Sequence, residues 1–308
     1  VERRVRRPLG EALKRKALRT VIPNPRLFNA LLKLGQLARP LLPAALGRKV
    51  PKPSRATPWP AARHARRMLV LQGCVQPGIA PTINPALARV LDRIGVSLIA
   101  AEGVACCGAV SYHLNAQDEG LDYARGNIDA WWPHVEQGVE AIVMTASGCG
   151  VMVKEYGHLL AHDARYAQKA KRISALTRDA TEVLAAERSA LVARIAPRAA
   201  PERIAFHSPC TLQHGMQIRG VAESLLAAAG YALTPVPDAH LCCGSAGTYS
   251  ILQPVLSKKL LANKVEALQS GGPRLIATAN IGCLAHIQSG TALPVRHWVE
   301  LIDERMAD

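Results

Sequence analysis

The chain has 308 residues, 49% of them hydrophobic and 20% charged, which provides enough apolar material for a large core and excludes disordered and collagen-like proteins. Arginine, lysine or proline interrupts every apolar stretch before the roughly 18 to 20 residues that a membrane-spanning helix needs, so no such helix is predicted. The net charge of +15 lies at one end, because residues 1–68 hold 18 lysines and arginines but only two acids. The neutral body argues against a nucleic-acid partner, because binding of phosphates needs a basic folded surface, which only the N-terminal arm could provide.

Residues 1–67 are predicted to form a basic helical arm followed by a linker. Apolar residues recur at helical spacing over residues 9–21 and 27–37, with two prolines between these two helices. Six prolines in residues 40–60, without any periodicity, predict an extended connection to the body. The apolar faces of these helices are expected to pack on a further module or a partner subunit. Contact with an anionic membrane surface, supported by the apolar stripe and the positive charge, is the less favoured alternative.

The start of the chain is charged, and the apolar segment of a secretory signal does not follow it. We therefore expect a cytoplasmic protein, with a peripheral position on the inner face of the plasma membrane as the role of the arm. In a reducing compartment, patterned cysteines are more often metal ligands or redox groups than structural disulfides.

The body, which begins at Met68, contains an internal repeat. Cys74 and Cys106 are separated by 32 residues, and so are Cys210 and Cys242. An offset of 136 residues relates Cys74, Cys106, Cys107, Gly108 and Asn127 to Cys210, Cys242, Cys243, Gly244 and Asn263. Each copy closes with an apolar strand and a Gly-Cys pair that contributes Cys149 or Cys283. The repeat thus uses all eight cysteines, four in each copy.

Each copy alternates short apolar strands with helices, which predicts an α/β fold with a parallel sheet used twice. The predicted helices are Pro85–Ile94, Asp118–Gln137, Val221–Ala229 and Pro254–Gln269. The predicted strands include Met68–Leu71, Val96–Ala100, Ile142–Met144, Ile204–Phe206, Leu233–Val236 and Leu275–Ala277. Residues 161–195 are predicted to form a long helical connection between the copies. The expected domains are the arm at 1–67, the first repeat at 68–160, a connector at 161–202 and the second repeat at 203–308.

The cysteines follow the carboxyl ends of predicted strands, where parallel sheets place their sites, so the four of each copy are expected to converge. Four thiolates hold either a tetrahedral zinc ion or an iron–sulfur cluster. The vicinal pair favours a cluster. Adjacent cysteines can bind two different irons of a cluster, but they cannot readily occupy two of the four tetrahedral positions around a single zinc ion. Zinc stays open as the alternative, and packing cysteines or strained disulfides are disfavoured because packing does not require a repeated spacing.

Four histidines lie near the cysteines in sequence, and each is interpreted first as an ordinary neighbouring residue. His286 is the strongest candidate for an additional ligand, because it follows Cys283 by three residues on a predicted helix. The others are His207, His214 and His240. Phosphate-binding loops, dinucleotide fingerprints and hydrolase motifs are absent from the sequence, so an electron carrier is favoured over a substrate-oxidising enzyme.

The spacing C-x31-C-C-G followed by Gly-Cys, present twice, resembles the cysteine-rich CCG-domain family of heterodisulfide reductase subunits, lactate-utilisation proteins and glycolate oxidase iron–sulfur subunits. The resemblance to the last group covers essentially the whole chain. It includes PLLP at 40–43, SGCGVMVKEYG at 147–157, LCCGSAGTY at 241–249 and NIGCLAH at 280–286.

The resemblance implies an iron–sulfur electron-transfer subunit of a flavin-dependent glycolate dehydrogenase, which oxidises glycolate to glyoxylate and passes electrons to the respiratory chain. It implies flavoprotein subunits as partners and an iron–sulfur cluster of [4Fe-4S] type as cofactor. The implied ligands are Cys74, Cys106, Cys107 and Cys149 in one site and Cys210, Cys242, Cys243 and Cys283 in the other.

The sequence departs from the family pattern in two ways. Met152 and His286 stand where the fuller pattern has a last cysteine, which disfavours a five-cysteine cluster. The family also carries a ferredoxin-like module with C-x2-C-x2-C-x3-C-P runs, which this chain lacks, so we expect it to be inactive alone. The alternatives are a subunit of a lactate-oxidising or heterodisulfide-reductase-like complex, and a zinc-bound or metal-free scaffold.

Overall fold

A computed structural model describes residues 7–43, 47, 50–196 and 200–307. The arm forms two helices, α1 (Leu9–Val21) and α2 (Pro25–Ala38), as predicted, and a short 3-10 turn, Arg39–Leu41, follows. The side chain of Asn24 accepts hydrogen bonds from the backbone N–H groups of Arg26 and Leu27, and Pro25 occupies the first turn. These features start α2, because an Asn cap satisfies free N–H groups and proline is tolerated at the first helical position.

The linker meets the body before its first strand. The indole N–H of Trp59 donates to the carbonyl oxygen of Leu98 at 3.1 Å, and the backbone N–H groups of Arg63 and His64 donate to the hydroxyl of Ser97. The predicted linker residues 44–46 and 48–49, like residues 1–6 of the arm, lie outside the described residues.

In the described part of the chain, eight strands form two four-stranded sheets in which every paired strand is parallel. The first sheet has the order β2-β1-β3-β4 and the second β6-β5-β7-β8. The strands are β1 (Arg66–Val70), β2 (Val96–Ile99), β3 (Ile142–Met144), β4 (Thr177–Asp179), β5 (Glu202–His207), β6 (Tyr231–Leu233), β7 (Leu275–Thr278) and β8 (Val295–His297). The predicted α/β class with two parallel-sheet repeats is confirmed.

Helices and short helical turns connect the strands. In the first repeat they are α3 (Gln76–Ile79), α4 (Ile83–Arg93), α5 (Ala109–His113), α6 (Gln117–Glu136), α7 (Ser147–Lys154), α8 (Tyr156–Leu159), α9 (Ala167–Leu176), α10 (Ala180–Ala186) and α11 (Arg188–Val192). In the second they are a π-helical turn (Thr211–Gly215), α12 (Val221–Ala228), α13 (Tyr249–Leu252), α14 (Pro254–Gln269), α15 (Ile281–Gln288) and α16 (Trp298–Asp303). Within these described helices, none is both long and apolar enough to cross a membrane.

Two predicted elements are wrong. The segment 161–195 is not a continuous helix, because β4 interrupts it and pairs with β3, adding a fourth strand to the first sheet. The strand predicted at Leu233–Val236 lies at Tyr231–Leu233 instead, where Tyr231 pairs with Glu202. Pro235 lacks a backbone N–H and cannot continue the ladder of hydrogen bonds. The domain limits within 161–202 stay a prediction.

The two repeats share one hydrophobic core. A single cluster of buried residues joins Met68 and Val70 of the first sheet to Ile204, Phe206 and Trp298 of the second repeat. Separate clusters fill the opposite side of each repeat, and these two contain the cysteines. Each sheet therefore has one face on the shared core and one face on its own thiol-bearing core.

Polar contacts bring the carboxyl ends of the two sheets together. Nε2 of His297, at the end of β8, donates to the carbonyl oxygen of Thr145, just after β3, at 2.8 Å. The hydroxyls of Ser147 and Thr211 lie 2.7 Å apart, and Arg89 and Arg93 of α4 pair with Asp303. The strand ends that carry the cysteines consequently face the same junction.

Candidate functional site

The four cysteines of the first repeat converge on one place. Cys74 follows β1, the vicinal pair Cys106 and Cys107 follows β2, and Cys149 lies in the first turn of α7 after β3. The sulfurs of Cys106 and Cys74 are 3.5 Å apart. Interactions with the thiols of Cys106 and Cys149 raise the pKa of Cys107, so Cys107 lies next to both and the four thiols form a continuous chain. The first three are buried and Cys149 is half-buried.

The second repeat reproduces this arrangement. Neighbouring thiols shift the pKa of one another in the pairs Cys210–Cys242, Cys242–Cys243 and Cys243–Cys283, so these four also lie side by side. Cys210 and Cys242 are half-buried, whereas Cys243 and Cys283 are buried, so this site is the more open of the two. All eight cysteines are free thiols. The sequence prediction of two four-cysteine groups therefore agrees with where the side chains lie, while their role as ligands stays a prediction.

One thiol in each group is set apart by its hydrogen bonds. Thiol hydrogen bonds from Cys107 and Cys74 lower the pKa of Cys106 to about 4, and those from Cys210 and Cys243 likewise lower the pKa of Cys242. The backbone N–H of Gly244 also donates to the sulfur of Cys242 at 3.3 Å. Cys106 and Cys242 are therefore the thiols of their groups that lose a proton most readily, and the thiolate is the form that binds metals.

A glycine closes each vicinal pair for a steric reason. Gly108 and Gly244 both have a φ of 87°, a left-handed conformation that favours glycine. A Cβ atom on Gly108 would lie 2.4 Å from the carbonyl oxygen of Gly120, and one on Gly244 would lie 2.5 Å from that of Ser257. The repeated C-C-G spacing is therefore a requirement of the turn that places both cysteines.

Asn127 and Tyr156 fix the first C-C-G turn by hydrogen bonds to its backbone. Asn127, fully buried in α6, accepts from the N–H of Ala105 at 2.8 Å and donates to the carbonyl oxygen of Cys106 at 2.9 Å. The Tyr156 hydroxyl donates to the carbonyl oxygen of Cys107 at 2.8 Å. The 136-residue offset signalled Asn127, whereas no sequence pattern indicated a role for Tyr156.

The second repeat holds its turn differently. Asn263, the counterpart of Asn127, is exposed, and the adjacent Lys264 is buried instead. The Lys264 ammonium donates to the carbonyl oxygen of Asp238 at 2.8 Å, just before the second C-C-G turn. Burial lowers the pKa of Lys264. The counterpart of this lysine in the first repeat is Ile128, so the second site has a polar neighbour where the first has an apolar one.

His207 is a functional candidate by its position in the structure, although sequence spacing favoured His286 over it as an additional ligand. One of its ring nitrogens and the sulfurs of Cys243 and Cys283 all lie within 4.8 Å of one another, and all three residues are buried. Burial lowers the pKa of His207 to about 3, so the imidazole is neutral at physiological pH, as a metal ligand must be.

The other histidines make different contacts. The Ser257 hydroxyl donates to the carbonyl oxygen of Gly244, so Nε2 of His286 is the donor in its 3.1 Å contact with that hydroxyl. His214 contacts the backbone oxygen of His240, and both are exposed. His286 thus supports the second C-C-G turn through Ser257, and its predicted additional role as a ligand is untested.

The two sites approach each other at the junction of the repeats. Asn280 donates to the sulfur of Cys283 at 3.4 Å, and a Cβ built on Gly148 would lie 3.8 Å from its side-chain amide. Cys149 packs on an apolar cluster that includes Ile281, two residues before Cys283. The helix starts that carry Cys149 and Cys283 are therefore close neighbours.

The donor set fits an iron–sulfur cluster. Each group supplies four convergent thiols from three separate strand ends, with a backbone amide directed at sulfur, and the first site is largely buried. Zinc stays the alternative in the second site, where ligand atoms of His207, Cys243 and Cys283 lie within 4.8 Å of one another.

The fold and the sites define a protein of two cysteine-rich α/β repeats, each with a four-thiol site at one edge of a parallel sheet. The family model of the cysteine-rich CCG domain matches residues 68–154 and 204–288. The glycolate oxidase iron–sulfur subunit of Escherichia coli is 50% identical over 307 residues, which span 99% of this chain and 74% of that protein. The chain therefore belongs to the CCG cysteine-rich domain family and, within it, to the family of glycolate oxidase iron–sulfur subunits, as predicted.

More distant relatives match part of the chain. A probable glycolate oxidase iron–sulfur subunit of Bacillus subtilis is 29% identical over 73% of this chain and 50% of that protein, so this chain spans about half of it. Lactate utilization protein A of Geobacillus thermodenitrificans is 26% identical over 72% of this chain and 92% of that protein. Among solved structures, an aspartate racemase homologue from Pyrococcus horikoshii has a TM-score of 0.29 at 12% identity over 78% of this chain and 96% of that one, which supports no argument.

Proposed function

We propose that this chain is the electron-transfer subunit of a flavin-dependent glycolate dehydrogenase. In this proposal a flavoprotein partner oxidises glycolate to glyoxylate, releasing two electrons and two protons, and this chain carries the electrons onward to the respiratory chain. The observation that carries the proposal is the gathering of all eight cysteines into two four-thiol sites. The 50% identity to a named glycolate oxidase iron–sulfur subunit supports the choice of glycolate over lactate.

Each site is proposed to hold an iron–sulfur cluster, of [4Fe-4S] type, which when bound accepts and gives up single electrons. The ligands would be Cys74, Cys106, Cys107 and Cys149 in the first site and Cys210, Cys242, Cys243 and Cys283 in the second. The protein's own contribution is to exclude water from the thiols, to aim the amides of Gly108 and Gly244 at sulfur, and to fix the ligand turns. Those amides tune a reduction potential, because hydrogen bonds to sulfur stabilise the reduced state.

The second site is proposed to face the flavoprotein. Its thiols are the more open, and the segment that contains Cys242 carries four exposed apolar side chains. Leu241 is 43% exposed, Ile251 43%, Val255 70% and Leu256 53%. An apolar rim beside a half-buried redox site suits contact with a protein partner, because burying these side chains favours association.

Reduction by glycolate tests the function. We expect the anaerobically purified chain to contain iron and matching acid-labile sulfide, and its absorbance to bleach when flavoprotein subunits and glycolate are both added. Glycolate without the flavoprotein is expected to leave the spectrum unchanged, because this chain alone is proposed to lack glycolate oxidation activity. Lactate is the matched substrate control.

Three results would contradict this proposal. Bleaching by lactate but not by glycolate would assign the chain to a lactate-oxidising complex. Cleavage of a disulfide substrate that depends on the clusters would favour a heterodisulfide-reductase-like role. Colourless protein with stoichiometric zinc, or without any metal, would favour a scaffold.

The arm is proposed to contact the inner, anionic face of the plasma membrane. Leu34 and Leu37 of α2 are 62% and 77% exposed, while Asn29 and Leu32 of the same helix approach Gly78 of the body. The exposed leucines and the surrounding lysines and arginines suit insertion between anionic headgroups. A protein module that covers the same leucines is the competing outcome.

Vesicle sedimentation tests the arm. We expect the full chain to bind phosphatidylglycerol-containing vesicles and to dissociate as salt rises, and Leu34→Glu with Leu37→Glu to weaken binding about tenfold or more, since each leucine contributes about 1.5 to 3 kcal/mol on burial. Val255→Glu is the control, because Val255 is similarly exposed but lies outside the arm. Equal binding by the arm variant and the control would overturn the membrane proposal and favour a protein partner for the arm.

A further inference from the structure

We infer that His207 is a nitrogen ligand of the metal centre at the second thiol site, so that the two repeats bind their centres through chemically different donor sets. The first site would use four thiolates, whereas in the second the imidazole would bind beside Cys243 and Cys283 and take the place of one of the two half-buried thiolates of the set proposed above, Cys210 or Cys242. This inference rests on the proposed function, because it assigns a ligand to a cluster that the function requires.

The position of the imidazole supports this role. His207 is the last residue of β5 and is 2% exposed, and one ring nitrogen lies within 4.8 Å of the sulfurs of both Cys243 and Cys283. Its Nε2 atom is buried and has no hydrogen-bond partner in the part of the chain that the structure describes. A buried nitrogen without a partner is costly, and such a group in a native protein needs an explanation. A metal beside the two sulfurs supplies one.

The other ring nitrogen is oriented in the way that ligating histidines are. Nδ1 of His207 lies 2.9 Å from the hydroxyl of Thr278, which is fully buried at the end of β7. Histidines that bind a metal through one nitrogen commonly use the other in a hydrogen bond, which fixes the ring and its tautomer. With the proton on Nδ1 facing Thr278, the lone pair of Nε2 is available to a metal.

The internal repeat provides a comparison within the same molecule. The residue 136 positions before His207 is Leu71, which follows β1 and is buried beside the cysteines of the first site. In the first repeat a leucine fills this position, so an apolar side chain is enough for packing. Packing therefore does not explain why the second repeat has a histidine with an unpaired ring nitrogen there. The difference indicates a chemical role in the second repeat.

An imidazole ligand has a consequence for electron flow. Replacing thiolate by neutral imidazole raises the reduction potential of a cluster, because the ligand carries less negative charge. The buried Lys264 near the second site acts in the same direction. We expect the second centre to have the higher potential of the two.

The experiment isolates the second site in the full chain. Cys106→Ser and Cys107→Ser are combined to empty the first site, and the protein is reconstituted anaerobically with ferrous iron and sulfide. Pulsed EPR of the reduced sample then reports whether a nitrogen is bonded to the cluster. His207→Leu, which copies the residue of the first repeat, is expected to abolish the nitrogen coupling and to lower the potential in a redox titration. His286→Leu tests the competing ligand and is expected to keep the nitrogen coupling. His214→Leu is the control for both readouts, because His214 is exposed and contacts the backbone oxygen of His240.

Three results would decide against the assignment of His207 as a ligand. A nitrogen coupling that survives His207→Leu, that is lost in His286→Leu instead, or that is missing from an iron-loaded protein with His207 intact would overturn it. If metal analysis finds zinc at this site, X-ray absorption at the zinc edge counts nitrogen ligands in the same variants. Zinc with a nitrogen that depends on His207 would keep the ligand assignment while contradicting the iron–sulfur proposal for the second repeat.

Discussion

Cys107→Ser is expected to remove about half of the bound iron and acid-labile sulfide and to leave the second site loaded. Cys107 is the link between Cys106 and Cys149 in the chain of thiols, so its loss interrupts the first site at its centre. The sites are built on separate sheets and lie in separate hydrophobic clusters, which is why the effect should stay within one repeat. Iron and sulfide content per chain, measured on anaerobically purified protein, checks this.

The second repeat supplies the matched variant. Cys243 holds the equivalent place between Cys242 and Cys283, so Cys243→Ser is expected to remove the other half of the iron. The double variant should retain almost none. Loss of all iron from either single variant would mean that one cluster is shared at the junction where Cys149 and Cys283 approach each other.

The internal repeat makes the cysteine groups predictable from the amino-acid sequence. A spacing that recurs with a constant offset marks positions under the same constraint, and the left-handed glycines explain why Gly108 and Gly244 belong to it. Parallel sheets place their strand ends at one edge, so convergence of the thiols follows from the strand order alone.

Other features depend on contacts that the spacing does not encode. His207 and Leu71 occupy equivalent positions, and only packing shows that the imidazole faces Cys243 and Cys283. The sequence does not predict β4, because Thr177–Asp179 is a strand of three residues with a charged, exposed residue at its centre. Such a strand has no apolar pattern. Its place in the sheet is decided by pairing with β3.

Replacing Gly108, the turn glycine of the first site, should lower the stability of the fold even without metal. Gly108→Ala is expected to lower the free energy of unfolding of the metal-free chain by about 2 to 5 kcal/mol. A left-handed conformation costs an L-residue about 1 to 2 kcal/mol, and the crowding of backbone by the new methyl group costs about 1 to 3 kcal/mol more. Both costs are present here, because φ is 87° and the Cβ would lie 2.4 Å from the carbonyl oxygen of Gly120. Urea unfolding of the reduced, metal-free protein measures the change.

Gly126 provides the control for this substitution. It lies within α6, and a Cβ there would meet nothing within 4 Å, so Gly126→Ala should raise stability by up to about 1 kcal/mol through helix propensity. Gly244→Ala should match Gly108→Ala, because its Cβ would lie 2.5 Å from the carbonyl oxygen of Ser257. If Gly108→Ala unfolds at the same urea concentration as the unmodified chain, the turn is not fixed by the fold. The glycine would then be required for amide contacts to the cluster, and its substitution should affect iron retention alone.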